Sequence, residues 1–348
     1  MLRFLLKRIG TMLLTALCLT FIVFVLTNLS PNLEKLAKSE LGARISDREV
    51  ESWLAKYGHD RPILVRYGEW LGVAPGWVSE DQGVPFGRCL PRGGDPASAP
   101  RYCGILQGHW GQSTVFKAPV TDILWERLRL TGILMFWVMA LMVPVSLLIG
   151  VLAGMREGSK LDRTLSTFSI ATTATPEYVS GVIFIVVFSS SAVGLKWFSG
   201  TAASAATDGI TFYNFFLPVL TIALYGIGYI ARMTRASMTE VMTAQYIRTA
   251  RLKGVSPRDV VMKHALRNAL IAPFTVIMLQ FPWLLNGVVI VETLFNYKGF
   301  GWTLVQAAGN NDIDLLLACS VVAVFVVLVT QLISDIGYVY LNPRIRIS

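Results

Sequence analysis

Long stretches free of charged side chains alternate with short basic connections over most of this chain. Six of these stretches are long enough, or can be extended, to cross about 30 Å of hydrocarbon, which requires about 20 helical residues. They comprise residues 9–29, 131–155, 178–195, 215–231, 269–291 and 315–334. One such stretch would fit a buried helix of a soluble protein, but six in one chain predict an all-α polytopic membrane protein. Because the stretches are continuously apolar and do not alternate, they disfavour a β-barrel.

Composition and charge distribution refine this picture. Hydrophobic residues make up 53% of the 348 residues and charged residues only 15%, against about 25% charged residues in soluble domains. If the N-terminus is inside, sixteen Lys and Arg residues fall in the inner connections and two in the short outer ones. This excess predicts that both termini are cytoplasmic. The first stretch has 21 residues and no A-x-A site before Ser30, so we expect an uncleaved span and not a signal peptide.

The most informative connection is a basic, amphipathic segment at residues 245–268, which reads QYIRTARLKGVSPRDVVMKHALRN. Its pattern predicts two short helices. The first ends at Gly254, the residue type that best tolerates a left-handed backbone. The second begins at Ser256 as its N-cap, with Pro257 at the first helical position and Asp259 at the third.

Three interpretations fit this segment. A basic helix–turn–helix could bind DNA, with which the formal net charge of +9 is compatible. Membrane spans on both sides would, however, hold such a helix against the bilayer. A positively charged cytoplasmic loop could serve only to fix the topology. The third interpretation, which we favour, comes from a resemblance to a known family.

The segment resembles the cytoplasmic coupling loop, or EAA loop, of ABC importer permeases. The triplet corresponds to Arg248-Thr249-Ala250 and the glycine that follows it to Gly254, and Arg248 replaces the acidic residue of the motif. The tracts YIRTARLKG and HALRNA resemble the B-type membrane subunit of the dipeptide, oligopeptide and nickel subfamily. Further matches are MLRFLLKRIG at the N-terminus, RMTRASMTEV at 232–241, VETLFNYKGFG at 291–301 and NPRIR at 342–346. The resemblance covers most of the chain except residues 72–107.

The resemblance implies a type I ABC importer fold of six transmembrane helices, with a large exterior loop after the first helix. This chain would form half of the translocation path of an ATP-driven, binding-protein-dependent importer of di- or oligopeptides in the bacterial cytoplasmic membrane. The implied partners are a homologous second permease subunit, two ABC ATPase subunits that bind ATP and Mg, an extracytoplasmic solute-binding protein and the lipid bilayer, but no nucleic acid. The residues expected to dock the ATPase are Tyr246, Ile247, Arg248, Thr249, Ala250, Leu252, Gly254, Val255, Ser256 and Pro257.

The sequence contains no motif that is typical of catalysis or of ATP binding. It lacks the phosphate-binding G-x-x-x-x-G-K-[ST] loop, H-E-x-x-H and G-x-S-x-G. We therefore expect the chain to be no enzyme and to bind no cofactor itself. The alternative to an importer is a channel or a carrier driven by an ion gradient. Such carriers place paired carboxylates or histidines near mid-span, whereas Glu177, Glu292 and Asp335 lie at the ends of apolar stretches.

The connection after the first stretch is too long to be a mere linker. The predicted parts of the chain are residues 1–29, an exterior loop at 30–130 and a five-helix core at 131–348. Within the loop, Ser46 and Glu49 form a capping box that begins a helix. We expect a small cap with packing of its own, or a docking surface for the solute-binding protein.

The loop also contains Cys89 and Cys103, in a part rich in glycine and proline. On the predicted topology these cysteines face an oxidising compartment if the cell has a periplasm, and there they could form a disulfide. Cys18 and Cys319 fall within apolar stretches and are expected to be packing residues. The histidines of the loop are not at ligand spacing from the cysteine pair, so we expect no metal site.

The segment that follows Glu292, TLFNYKGFGWTLVQAAGNNDID, combines turn-forming glycines with aromatic residues that suit a membrane–water boundary. A plain aromatic belt would have this composition. The family resemblance instead suggests a position close to the exterior gate and the substrate path. The candidate residues there are Glu292, Phe295, Gly299 and Gly301.

Overall fold

The computed structural model describes residues 2–42, 44–90, 94–191 and 195–341. The tract NPRIR at 342–346, which contributed to the resemblance, lies outside these residues. Helices dominate the described chain. A short antiparallel hairpin adds two strands, in which Val78 pairs with Gly87 and Asp81 with Val84.

The elements of the described residues are numbered in chain order. The α-helices are α1 (Leu2–Thr27), α2 (Ser30–Leu41), α3 (Asp47–Lys56), α4 (Ile63–Leu71), α5 (Val120–Met155), α6 (Lys160–Ala174), α7 (Glu177–Phe188), α8 (Ala203–Thr207), α9 (Phe212–Met242), α10 (Gln245–Leu252), α11 (Pro257–Asp259), α12 (Leu266–Ala269), α13 (Ile271–Leu294), α14 (Phe300–Gly309) and α15 (Ile313–Leu341). The strands are β1 (Val78–Asp81) and β2 (Val84–Gly87). A 3-10 turn spans Ile105–Gln107, and a π-helix spans Val260–Ala265.

Four helices of the described chain are long and apolar enough to cross a membrane, or six if each of two bent pairs is one span. The four continuous helices are α1, α5, α9 and α15. α6 and α7 meet at a bend of 104°, where Pro176 is the N-cap of α7. Because proline has no N–H and disfavours helical backbone in the residue before it, the helix breaks at this point. The third apolar stretch is thus one part of a bent helix pair.

The chain divides into two compact units, and each is described by itself. The core unit comprises residues 2–8, 126–303 and 325–341, and the cap unit comprises residues 9–125 and 304–324. These boundaries differ from the predicted division near residues 30 and 130. The difference arises because much of α1 and the beginning of α15 pack with the loop, as the contacts of Phe24 and Leu317 show.

The core unit is held together by close packing between α5, α9 and α13. Leu134, Ile222 and Leu284 are fully buried at these contacts. A Cβ at Gly150 of α5 would lie 2.4 Å from the Cβ of Thr234, so only glycine allows the two helices this approach. Small residues at such contacts are characteristic of membrane helices, where packing and not hydrophobic transfer drives association.

The cap unit has a small core of its own, in which Phe24, Tyr67 and Trp70 pack together. The predicted capping box is present at the beginning of α3: the Ser46 N–H donates to Glu49 Oε2 at 2.8 Å, and the Glu49 N–H donates to Ser46 Oγ. In the cap unit, the elements that were not expected from the sequence include α2, α4, the β1–β2 hairpin and the 3-10 turn. The structure joins Cys89 and Cys103 as a disulfide, with Cα atoms 5.6 Å apart.

Candidate functional site

Residues 245–268, here called the elbow segment, form two helical arms joined at a tight turn. Gly254 has a φ of +77°, the left-handed conformation expected where the first helix ends. Ser256 caps the second arm, since its Oγ accepts a hydrogen bond from the Asp259 N–H at 3.2 Å. Both local predictions for this turn are confirmed.

The second arm contains an element that the sequence did not reveal. Residues Val260–Ala265 form a π-helix between α11 and α12. A π-helical turn holds more residues than an α-helical turn, so it changes which side chains face the same way, and such turns are frequent at functional sites. Here Val260, Val261 and Ala265 all face inward and are buried.

The inner face of the elbow segment is anchored to the core unit. Ile247 is fully buried and packs with Met238 of α9 and with the buried side chains of the second arm. The Asn268 side-chain amide donates to the Tyr246 hydroxyl at 3.0 Å, which ties the two arms together. The segment is therefore packed against α9 and continues into α13.

This anchoring divides the predicted docking residues into buried and exposed ones. Ile247 and Ala250 belong to the internal cluster of the chain, with 0% and 7% of their surface exposed, so in this conformation they support the outer face from within. Val255 is half-buried against the same cluster. The helical period explains this placement, because the apolar positions of an amphipathic helix first serve the chain's own core.

The outer face of the elbow segment is open. Leu252 is 81% exposed and Tyr246 is 43% exposed. A Cβ placed on Gly254 would meet nothing within 4 Å. The exposed basic side chains are those of Arg248, Arg251, Lys253, Arg258, Lys263 and Arg267, of which Lys263 pairs with Asp259 at 2.9 Å. Thr249, Ser256 and Pro257 are exposed as well. An apolar tip surrounded by positive charge suits a groove on a protein with acidic rims.

The second candidate site is a buried hydrogen-bond network of Glu292, Thr131, Phe300 and Trp302, here called the bracket. Glu292 is fully buried. Its Oε1 accepts a hydrogen bond from the Thr131 hydroxyl at 2.5 Å, and its Oε2 accepts one from the Trp302 N–H at 2.9 Å. The Thr131 oxygen in turn accepts the Phe300 N–H at 2.7 Å. A carboxylate at the beginning of α14 satisfies main-chain N–H groups and interacts favourably with the helix dipole.

The neighbouring candidate residues have similar structural roles. A Cβ on Gly299 would lie 2.2 Å from Glu292 Oε1, and one on Gly301 would lie 2.7 Å from Val289 Cα. Phe295 is fully buried, and its carbonyl accepts the Ala202 N–H at 2.7 Å. Glu292 and Phe295 are thus enclosed by the chain itself. Their side chains are not open to a solute in this conformation, and a place for them along a substrate path stays a prediction.

Comparison with known proteins identifies relatives over most of the chain. Residues 146–347 match the family model described as binding-protein-dependent transport system inner membrane component. A probable peptide ABC transporter permease protein of Sinorhizobium fredii is 36% identical over 70% of this chain and 77% of its own length. The oligopeptide transport system permease protein AppB of Bacillus subtilis is 32% identical over 87% of each chain. A solved structure of the methionine ABC transporter MetNI, in inward-facing conformations, is similar at a TM-score of 0.46, with 21% identity over 64% of this chain and 96% of that chain.

Proposed function

The chain belongs to the family of binding-protein-dependent transport system inner membrane components, and from this premise we propose that it imports di- or oligopeptides. As a permease subunit of an ABC transporter it is a multi-pass membrane protein of the all-α, type I importer class and not itself an enzyme. ATP hydrolysis belongs to a separate subunit. The family membership favours this function over a channel or an ion-gradient-driven carrier.

The peptide substrate is supported by the two relatives described above, which are named as a peptide permease and an oligopeptide permease. Two ionisable residues near the ends of the spans have structural partners. Glu292 accepts hydrogen bonds from Thr131 and Trp302, and Asp335 forms an ion pair with Arg8. A proton or sodium relay would need such carboxylates for itself, so their engagement also favours an ATP-driven importer.

We further propose the full set of partners that the family resemblance implies. They are a homologous second permease subunit, two ATPase subunits that bind ATP and Mg, and an extracytoplasmic solute-binding protein. The distribution of basic residues supports a position in the bacterial cytoplasmic membrane with both termini and the elbow segment inside. The ATPases would then reach the elbow segment from the cytosol.

The single observation that carries this proposal is the division of the elbow segment into two faces. Its inner face is locked into the core unit through Ile247, while its outer face presents Leu252 and a ring of basic side chains. A partner bound to the outer face would move α9 and α13 together with the elbow segment. Shifting the equilibrium between the two conformations of a transport gate from 1:99 to 99:1 takes about 5.5 kcal/mol of differential binding. The partner must therefore bind the outer face tightly.

Co-purification tests this proposal directly. The chain is co-expressed with the ATPase subunits of its transporter, and Leu252→Glu is compared with Leu64→Glu, which alters a similarly exposed leucine of the cap unit. We expect the first variant to lose the ATPases and the second to retain them. A second pair is Gly254→Trp and Gly209→Trp, since both glycines have positive φ and open surroundings. Equal retention of the ATPases by all four variants would refute the docking role.

A further inference from the structure

The cap unit contains a cavity of about 640 Å³ that the proposed function does not use. Its wall is formed by parts of α4, the β1–β2 hairpin, the segment before α5 and the beginning of α15. The rings of Trp70, Trp77 and Trp110 line it. Sites for small molecules typically measure about 300–1,000 Å³ and combine apolar walls with a few polar groups. The cavity has both properties.

The charged groups of this wall do not cancel one another. The charged lining residues are Arg61, Arg66, Arg88, Glu69 and Asp314. Arg61 and Glu69 are bound to each other by two hydrogen bonds, of which Nη2 to Oε2 measures 2.7 Å. Asp314 accepts the main-chain N–H of Gln112 at 3.3 Å. The guanidinium groups of Arg66 and Arg88 form no hydrogen-bonded ion pair with a carboxylate in the described part of the chain, although the charges of Asp314 and Glu69 act on Arg88.

Arg66 and Arg88 differ in whether hydrogen-bond acceptors meet the N–H groups of their side chains. Arg66 donates to Asn28 Oδ1 and lies 3.2 Å from His59 Nδ1, and both of these acceptors are uncharged. The Nε of Arg88 is buried and has no hydrogen-bond partner among the described residues. Arginine stays protonated in proteins, and a buried charged donor is costly unless an acceptor meets it. The cavity wall therefore contains a charged N–H donor, that of Arg88, to which an anionic ligand could supply the acceptor.

The ionisation of His59 reflects first its burial and then the positive charges around it. Burial, followed by the charges of Arg66, Arg61 and Arg88, lowers the pKa of His59 to about 4. The histidine is thus neutral at physiological pH and adds no further positive charge. Burial also lowers the pKa of Arg66 and of Arg88, which means that both guanidinium groups lack part of the solvation that an anion could replace.

We propose that this cavity binds the carboxylate of a small organic anion, with Arg88 and Arg66 as the carboxylate-binding residues and the tryptophan rings against the apolar part of the ligand. Three arginines and two carboxylates line the cavity, so positive groups outnumber negative ones and favour an anionic ligand. The planar fork of a guanidinium group also fits a carboxylate with two parallel hydrogen bonds. The C-terminus of a short peptide is one ligand of this class, but the site stands independently of any transport role.

The test uses the full chain in lipid nanodiscs without partner subunits, so its outcome is separate from that of the ATPase experiment. The probe is N-acetylphenylalanine, and its uncharged amide is the control ligand. Isothermal titration and thermal unfolding are measured for the wild type, Arg88→Gln, Arg88→Lys and Arg101→Gln. Arg101 is an exposed arginine of the same unit outside the cavity wall.

We expect the acid to bind and to raise the unfolding temperature of the wild type, and the amide to do neither. Arg88→Gln should weaken binding at least about tenfold, because one charge-assisted hydrogen bond is lost. Arg88→Lys should lie between Arg88→Gln and the wild type, and Arg101→Gln should bind normally. Equal binding of the amide, unchanged affinity in Arg88→Gln, or stabilisation by inorganic phosphate alone would overturn the proposal. If the Arg88 variants fail to fold, the comparison of acid and amide on the wild type decides.

Discussion

Arg235 of α9 binds Asp162 of α6 through two parallel hydrogen bonds, with Nε 2.5 Å from Oδ1 and Nη2 2.8 Å from Oδ2. Asp162 is only 2% exposed and also accepts the Gly158 N–H at 2.9 Å. α9 leads directly into the elbow segment, and this pair fastens it to the neighbouring helix. A force applied at the elbow would thus reach α6 as well as α9.

The first prediction concerns this ion pair. Asp162→Asn should lower the free energy of unfolding of the solubilised chain by about 2–3 kcal/mol, because a charge-assisted pair is lost and the Arg235 guanidinium keeps no carboxylate partner. Lys263→Gln removes the exposed pair with Asp259 and should cost no more than about 0.5 kcal/mol. Thermal or denaturant unfolding distinguishes the two, and equal effects would show that the buried pair has no special role.

The second prediction concerns the bracket at Glu292. Thr131→Val removes both the donor to Glu292 and the acceptor of the Phe300 N–H, so it should cost about 1–3 kcal/mol of stability. Glu292→Gln should cost a similar amount, and the double variant less than the sum, because the two residues share one network. Thr293→Val alters an exposed threonine in the same region and should be nearly neutral. Simple additivity of the two bracket variants would contradict the shared network.

The third prediction separates the two faces of the elbow segment. Ile247→Ala should destabilise the chain by about 2–5 kcal/mol, as deletion of a buried aliphatic side chain does. Leu252→Ala should leave stability unchanged, since this side chain is 81% exposed, but it should weaken ATPase binding. The check is an unfolding curve and a pull-down for each variant. A destabilised Leu252→Ala, or an Ile247→Ala of normal stability, would contradict the assignment of faces.

The fourth prediction is a pH dependence in the cap unit. The pKa of His59 is about 4 in the folded chain, below the value of about 6.5 in an unfolded one. The unfolded state therefore binds the proton more readily, so stability is fully present above pH 6.5 and falls as the pH drops towards 4. The loss should amount to about 1–3 kcal/mol. His59→Gln should flatten this slope, whereas His264→Gln, which alters an exposed histidine of the elbow segment, should retain it. An unchanged slope in His59→Gln would count against the assignment.

Local signals made parts of this structure predictable from the sequence. Gly254 and Ser256 predict the turn from the residue types at the turn itself. Charge-free runs of spanning length predict membrane helices. The bracket could not be foreseen, because Thr131 and Glu292 are 161 positions apart and neither belongs to a recognisable motif.

What the sequence left open has a physical cause too. Apolar positions in a short amphipathic helix have the same pattern whether they face the chain's own core or a partner, so the burial of Ile247 could not be read from the sequence. The cap cavity depends on residues from α1 to α15 that meet only in the folded chain. Its arginines carry no periodic signal, and the loop therefore gave no sign of a cavity for a small molecule.

The central claim is that the outer face of the elbow segment touches the ATPase, and site-specific photo-cross-linking tests it most directly. p-Benzoylphenylalanine replaces Leu252 in one variant and Leu64 in another, each co-expressed with the ATPase subunits and irradiated in intact membranes. We predict a covalent adduct between the chain and an ATPase subunit from position 252 and none from position 64. An assembled complex that gives no adduct from position 252, or an ATPase adduct from position 64, would contradict the account.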